Sequence, residues 1–262
     1  MMAILDIVSR LPHRLLFEEN SAAHDQSFWD TIIESLLPKT LLLFDLGFLN
    51  LASFDLLCEK EIGFITRAKS NTVCQGVKVL RTTGMLRESL VKVGTGSGAC
   101  QHVLRLVEVL HQGRWYRYLT NVIDPAILPA EVVVALSWQR WRIEDAFMVV
   151  KRLLGLSYFY VGSVNGVQVP VWATWLLYAV LTDLCDEIAT TLDLPLACIS
   201  FEMVYRGLYH FAQAYHRGEA SDPIAYLCAP KNRDLGIVKR KRKGQSSEIL
   251  ELEIPPLPLS CN

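Results

Sequence analysis

The segment from Ser137 to Lys151, S-W-Q-R-W-R-I-E-D-A-F-M-V-V-K, is where residue type and spacing come nearest to chemistry. Read as one helix from about Ala130 to Leu154, at ~100° per residue, it gathers Ser137, Arg140, Glu144 and Lys151 into a sector of roughly 60°. Leu136, Ile143, Phe147, Val150 and Leu154 form an apolar stripe beside that sector. A carboxylate between two cations along one helix edge can be a solvated face, whose ion pairs contribute about 0.2–0.5 kcal/mol each. It can equally be half of a site for a metal or a phosphate. Asp45 bears on that choice, because it ends the apolar run TLLLF, and open α/β sheets place functional groups at the carboxyl ends of their strands. Alone, Asp45 would serve as well as a turn former or helix cap. If a helix packed on a sheet brought Asp45 and Glu144 together, the pair would suit Mg²⁺ or Mn²⁺, hard cations that prefer oxygen ligands. Two such ions about 4 Å apart can activate a water or a 3′-hydroxyl and stabilise the leaving oxygen in phosphoryl transfer.

The elements that must position these residues follow from the hydrophobic pattern. Ala3 to Val8 and Arg14 to Glu18 read as two strands around a turn at Pro12. In NSAAHDQSFWDTIIESLLP, Asp25 is a candidate N-cap for a helix that carries Phe28, Ile32, Ile33 and Leu36 on one face and ends at Pro38. TLLLFDLGF, a short continuous apolar run, suits a strand covered on both faces. A helix over Leu51 to Lys60 and the strand GFITRAK complete a β-β-α-β-α-β order, a mixed α/β sheet. From Ser70 to Ile123, alternating stretches separated by TTG, GTGSG and HQG predict an antiparallel β insertion. Further helices are expected near Val171 to Thr190 and Phe201 to His216. The expected organisation is a partial core over 1–69, the insertion over 70–128, the helical remainder of the core over 129–218, and a basic, Pro-rich tail over 219–262. Most of that tail, from about Lys231, is expected to be extended or disordered.

Three pieces of this sequence, in order, resemble the IS4-type insertion-sequence transposases of the DDE superfamily. They are Asp45-Leu46-Gly47-Phe48 after an apolar strand, the following strand GFITRAKSN, and Arg140-x3-Glu144-x6-Lys151 in the setting RWRIE. The resemblance covers roughly Ala3 to Glu187. It implies an RNase H-like mixed sheet flanked by helices, with the β insertion before the Glu-bearing helix. It implies Mg²⁺ (or Mn²⁺) held by Asp45 and Glu144 as catalytic carboxylates. Arg140 and Lys151 would then contact DNA phosphate and offset its charge in the transition state. The family has Tyr where this chain has Ser137, which would weaken one DNA contact. Trp138 and Trp141 are expected to pack in the core, with stacking on a displaced base as the alternative. The family's first Asp sits on a first, central strand that this chain is expected to lack. Asp6 would lie on the wrong strand to replace it, and Asp25 reads as a cap. The expectation is therefore a marginally folded polypeptide, inactive alone, whose partners are transposon-end and target DNA and a second copy in a homodimer.

Composition narrows the alternatives. With 26 Lys and Arg against 27 Asp and Glu, the net charge of -1 gives no general pull toward nucleic acid, although a neutral average can hide a basic face. Hydrophobic residues make up 51% of the chain, which excludes wholesale disorder. Seven Cys without a Cys-x-x-Cys pair read as reduced thiols in a reducing, cytoplasmic setting. No cysteine stands at ligand spacing from His210 or His216. Met1 to Arg10 lacks the pattern of a signal peptide. Val167 to Thr182 is shorter than the ~20 apolar residues of a membrane span and is bounded by Pro170 and the acids from Asp183. Two other functions remain as alternatives. One is a non-catalytic DNA-binding remnant using the basic run Lys239 to Lys243, and the other is a small membrane-associated protein using Val167 to Thr182.

Overall fold

The computed structural model describes residues 1–19, 24–156 and 162–239. They form two compact units. One holds Met1–Glu19 and the described residues from Arg142 onward, and the other holds the described residues up to Trp141.

The second unit is built on a six-stranded mixed sheet. Its strands are β3 (Leu41–Phe44), β4 (Gly63–Arg67), β5 (Cys74–Thr82), β6 (Leu86–Val93), β7 (Leu104–His111) and β8 (Arg114–Thr120), in the order β3-β4-β8-β7-β6-β5. β3 and β4 run parallel, and every other pair is antiparallel. The strands expected as an insertion thus continue the sheet that begins with β3, through the β4–β8 pairing. Phe64 and Ile65 of β4 point to opposite faces and both are buried, so β4 is the doubly covered strand. β3 is not, as expected above, covered on both faces. It lies at the edge of the sheet with β4 as its hydrogen-bonded neighbour, and three of its four residues are only half-buried.

One face of this sheet meets α2 (Leu51–Glu59), which follows from Asn50 as N-cap; the Asn50 side chain accepts from the amides of Ala52 and Ser53. Phe54 of α2 meets Phe64 with ring centroids 4.6 Å apart and planes tilted by 36°, and Phe44 and Trp29 extend the aromatic cluster. Trp29 opens α1 (Trp29–Ser35), which is preceded by a 3-10 turn over Asp25–Phe28. Asp25 is the first residue of that turn; the cap position falls on His24. α3 (Ala130–Gln139) packs on β4 and β7. Its approach is fixed by Arg105 of β7, fully buried, whose guanidinium donates to the carbonyls of Val122 and Leu128 just ahead of the helix.

The single helix expected from Ala130 to Leu154 is three pieces. α3 ends in an i+3 bond from the Trp141 amide to the Trp138 carbonyl, α4 covers Arg142–Met148, and a π-helical turn covers Val149–Leu153. A wheel drawn at one pitch does not hold across these changes of ladder, so the shared sector of Ser137, Arg140, Glu144 and Lys151 is not a single helix face.

In the first unit, β1 (Met2–Leu5) and β2 (Pro12–Leu16) form a hairpin of their own, separate from the six-stranded sheet. They pack with α4 and α5 (Val164–Thr191) around Ala146, Val150, Trp175 and Tyr178. α5 starts before Pro170, because the Ser163 hydroxyl caps the amide of Gly166 and supports the extra turns. A second apolar cluster joins α5 to α6 (Phe201–His216) and α7 (Pro223–Cys228). The described part of the tail is ordered here: Ile237 is buried and Val238 bridges Ile199. Of the basic run Lys239 to Lys243, only Lys239 lies within the described residues.

Two side chains tie the hairpin down. Arg142, at the start of α4, donates to the carbonyl of Ile7, and the Tyr178 hydroxyl donates to the carbonyl of Arg10 at 3.1 Å. Tyr178→Phe is expected to lower the unfolding free energy by about 1 kcal/mol, with the loss appearing in urea melts and an unchanged far-ultraviolet spectrum.

Candidate active site

Asp45 follows β3 directly and precedes a 3-10 turn over Leu46–Phe48. This turn is clamped by its neighbours. The Trp29 indole N–H donates to the Phe48 carbonyl at 3.1 Å, and the Gln26 amide donates to the Gly47 carbonyl at 3.1 Å. Phe44, one residue before Asp45, is wedged edge-on against Trp29 with centroids 5.1 Å apart. The backbone around Asp45 is thus fixed by aromatic packing. Its carboxylate takes no part in that packing, and although Asp45 occupies the cap position of the turn it makes no side-chain cap bond. Gly47 is required by neither packing nor an unusual φ, and a Cβ there would meet nothing within 4 Å. It leaves the surface beside Asp45 bare.

The Asp45 side chain is 48% exposed, and its Oδ1 stands 3.8 Å from Nη2 of Arg140, which is itself largely buried. The Arg140 guanidinium also lies 5.3 Å from the centre of the Trp141 ring. Asp45 and Arg140, the ends of two of the three sequence pieces, are therefore brought together within one unit. Such a pair is a modest source of stability at this exposure, but it presents an oxygen donor and a cation side by side.

Ser137 sits elsewhere. It is half-buried and lies within hydrogen-bonding reach of the Tyr118 hydroxyl, which also accepts from the Trp138 indole N–H at 3.3 Å. Burial pushes the Tyr118 phenol up from its ordinary value. His111 meets Trp138 edge-on at 5.3 Å. Trp138 and Trp141 were expected in the core, yet both are exposed, Trp141 the more so at 58%.

Glu144 and Lys151 belong to the other unit. Glu144 is exposed in the first turn of α4, where the helix dipole favours a carboxylate. Lys151 is exposed in the π-helical turn, with its ammonium 5.2 Å from the Phe147 ring centre. Turns of this kind recur at functional sites. Asp6 is taken up locally: its Oδ1 accepts from the amides of Val8 and Ser9 and from the Ser9 hydroxyl, and these bonds hold its carboxyl below its ordinary value.

Residues 1–180, which include every residue of this site, match the family model described as a transposase DDE domain. The chain belongs to the DDE transposase family. A probable transposase for insertion sequence element IS5377 from Geobacillus stearothermophilus is 25% identical over 169 residues. That match covers 62% of this chain and 44% of the relative, so the chain spans less than half of that transposase. The six-stranded mixed sheet with its flanking helices is consistent with the RNase H-like fold of DDE enzymes.

Sequence reasoning missed two features of this transposase domain. Tyr118, which places Ser137 and Trp138, gave no signal because it sits on a β strand distant in sequence. The carboxylate of Asp55 gathers the Cys100 thiol, the His102 ring and two backbone amides, and no local spacing announces that cluster.

Proposed function

We propose that Asp45 and Glu144 are the carboxylates with which this DDE-family chain binds Mg²⁺ or Mn²⁺ for cleavage and joining of transposon-end DNA in the cytoplasm. The observation that carries the reading is the Asp45 carboxylate. It is rigidly placed at a strand end, half-exposed, unused as a cap, and set beside Arg140. Two carboxylates have the donor chemistry of a hard cation. Among the described residues no group of three His, Cys, Asp or Glu side chains gathers at one place, so the proposal stops at these two ligands. When bound, the cation would polarise the scissile phosphate. Arg140 and Lys151 would hold phosphate oxygens and offset their charge, and Ser137 would add a neutral hydrogen bond to the strand. A homodimer on paired DNA ends is part of the same proposal.

The test reads binding directly. Mn²⁺ titrated into the full chain and followed by electron paramagnetic resonance is expected to bind at least about tenfold more weakly, ~1.4 kcal/mol, in Asp45→Asn and in Glu144→Gln. The circular dichroism of both variants should stay that of the parent. Equal Mn²⁺ affinity in all three proteins would sink the assignment.

A further inference from the structure

β5 closes the sheet at the end away from β3, and β6 is its only strand neighbour among the described residues. It is nine residues long, and seven of the nine are exposed. Val79 is 70% exposed and Val77 54%. Such an edge offers a row of open amides and carbonyls to any strand that meets it, and folded chains cover or charge edges of this kind. The register with β6 sorts the β5 side chains. Lys78 pairs with Leu90 and Arg81 with Glu88, on one face; Gly76 pairs with Val91 and Val79 with Ser89, on the other. Val77 and Leu80 fall at shifts of that register. The edge is therefore basic on one face and apolar on the other.

We propose that β5 takes the segment Glu248 to Ile254 of its own chain as a seventh strand. That segment lies outside the described residues, and its sequence, E-I-L-E-L-E-I, selects it. Leu250, Leu252 and Ile254 alternate with Glu251 and Glu253, the period of a strand with one apolar and one acidic face. Gly244 to Ser247 precede it, and Pro255 and Pro256 end it, because a proline has no amide to give to a ladder. Laid beside β5, the two acids come onto the face of Lys78 and Arg81, and the apolar side chains onto the face of Val79. Both faces match in one placement, and a slip of one residue mismatches both. A second β5 in the same place would set Lys78 and Arg81 beside like charges, so this edge disfavours its own copy and favours an acidic strand. The pairing does not rest on the metal-site reading.

The test is amide hydrogen exchange of the full chain, read by mass spectrometry over peptides that cover β5. Leu252→Pro removes an amide from the added strand and is expected to speed exchange in β5 about tenfold, while β7 and β8 stay as in the wild type. Leu259→Pro, beyond the segment, should change nothing. Glu251→Lys with Glu253→Lys should speed β5 exchange by a similar factor, and Lys78→Glu added to these two reversals should restore most of the protection. Equal β5 exchange in the wild type and Leu252→Pro overturns the proposal. A triple variant no better protected than the double one overturns the matching of charge. Protection of β5 in the wild type that is lost on dilution assigns the strand to another copy and overturns pairing within one chain.

Discussion

Arg105→Met lowers the unfolding free energy by about 3–5 kcal/mol, the usual cost of removing one member of a buried ion pair. Arg105 is fully buried and Glu88 nearly so, with Nε and Oε1 3.5 Å apart. That contact is an ion pair without hydrogen-bond geometry, and Glu88 Oε1 has no other hydrogen-bond donor. Burial lowers the affinity of Arg105 for its proton and the nearby Glu88 charge raises it; the net direction is down. Without the guanidinium, Glu88 becomes a buried charge with no counter-ion, and the carbonyls of Val122 and Leu128 lose their donor. The double variant Arg105→Met, Glu88→Leu should recover most of the loss, because two apolar side chains leave neither charge stranded. Urea melts of the wild type, both single variants and the double variant complete the cycle. A single-variant cost below about 1 kcal/mol would place the pair among solvated ones. A double variant as unstable as Arg105→Met would mean that the carbonyl contacts, and not the charge, carry the effect. Either result bears on the site, since these carbonyls set the entry of α3, which carries Ser137 and leads to Arg140.

Much of this domain is legible in its sequence because local chemistry and tertiary packing agree there. The Gly-containing turns TTG, GTGSG and HQG bound the four strands of the antiparallel part, and Ser200 and His216 bracket α6 where periodicity predicts it. Asp45 is legible because an acid after TLLLF must stand at a strand end, and the clamped turn then leaves its carboxylate unused as a cap and beside Arg140. The failures have physical causes. A continuous apolar run suits a strand covered on both faces, but that coverage depends on what packs there from elsewhere in the fold, and three of the four β3 residues are only half-buried. The break at Arg140 has no Gly or Pro to mark it. It arises where Trp138 turns to the Tyr118 hydroxyl and Arg140 reaches Asp45, both contacts made across the fold. The hairpin at the start reads like the first strands of a sheet, yet its partners are helices of its own unit.

Asp55→Ala is expected to cost about 2–3 kcal/mol at neutral pH, and the wild type should show an acid limb that Asp55→Asn lacks. Asp55, on α2, accepts from the amides of Gln101 and His102, from the His102 ring at 2.8 Å and from the Cys100 thiol at 3.0 Å. Burial pushes its carboxyl up, but the bonds from Cys100, His102 and the two amides outweigh burial and hold it below its ordinary value. The sign follows from linkage. A carboxyl held lower in the folded state contributes stability that is fully present above the unfolded value, near 3.9, and lost as pH falls through the folded one. Removing the charge in Asp55→Asn should therefore lower stability at neutral pH and flatten its dependence below about pH 4. Aspartate, histidine and cysteine in contact suggest a nucleophile, but burial and the neighbouring Asp55 push the Cys100 thiol up to about 12. A thiol that stays protonated donates to Asp55 and does not attack. The cluster is a clamp between α2 and the start of β7, so Cys100→Ser should keep most of the stability and the acid limb. If Asp55→Asn kept the acid limb of the wild type, a carboxyl other than Asp55 would be the titrating group.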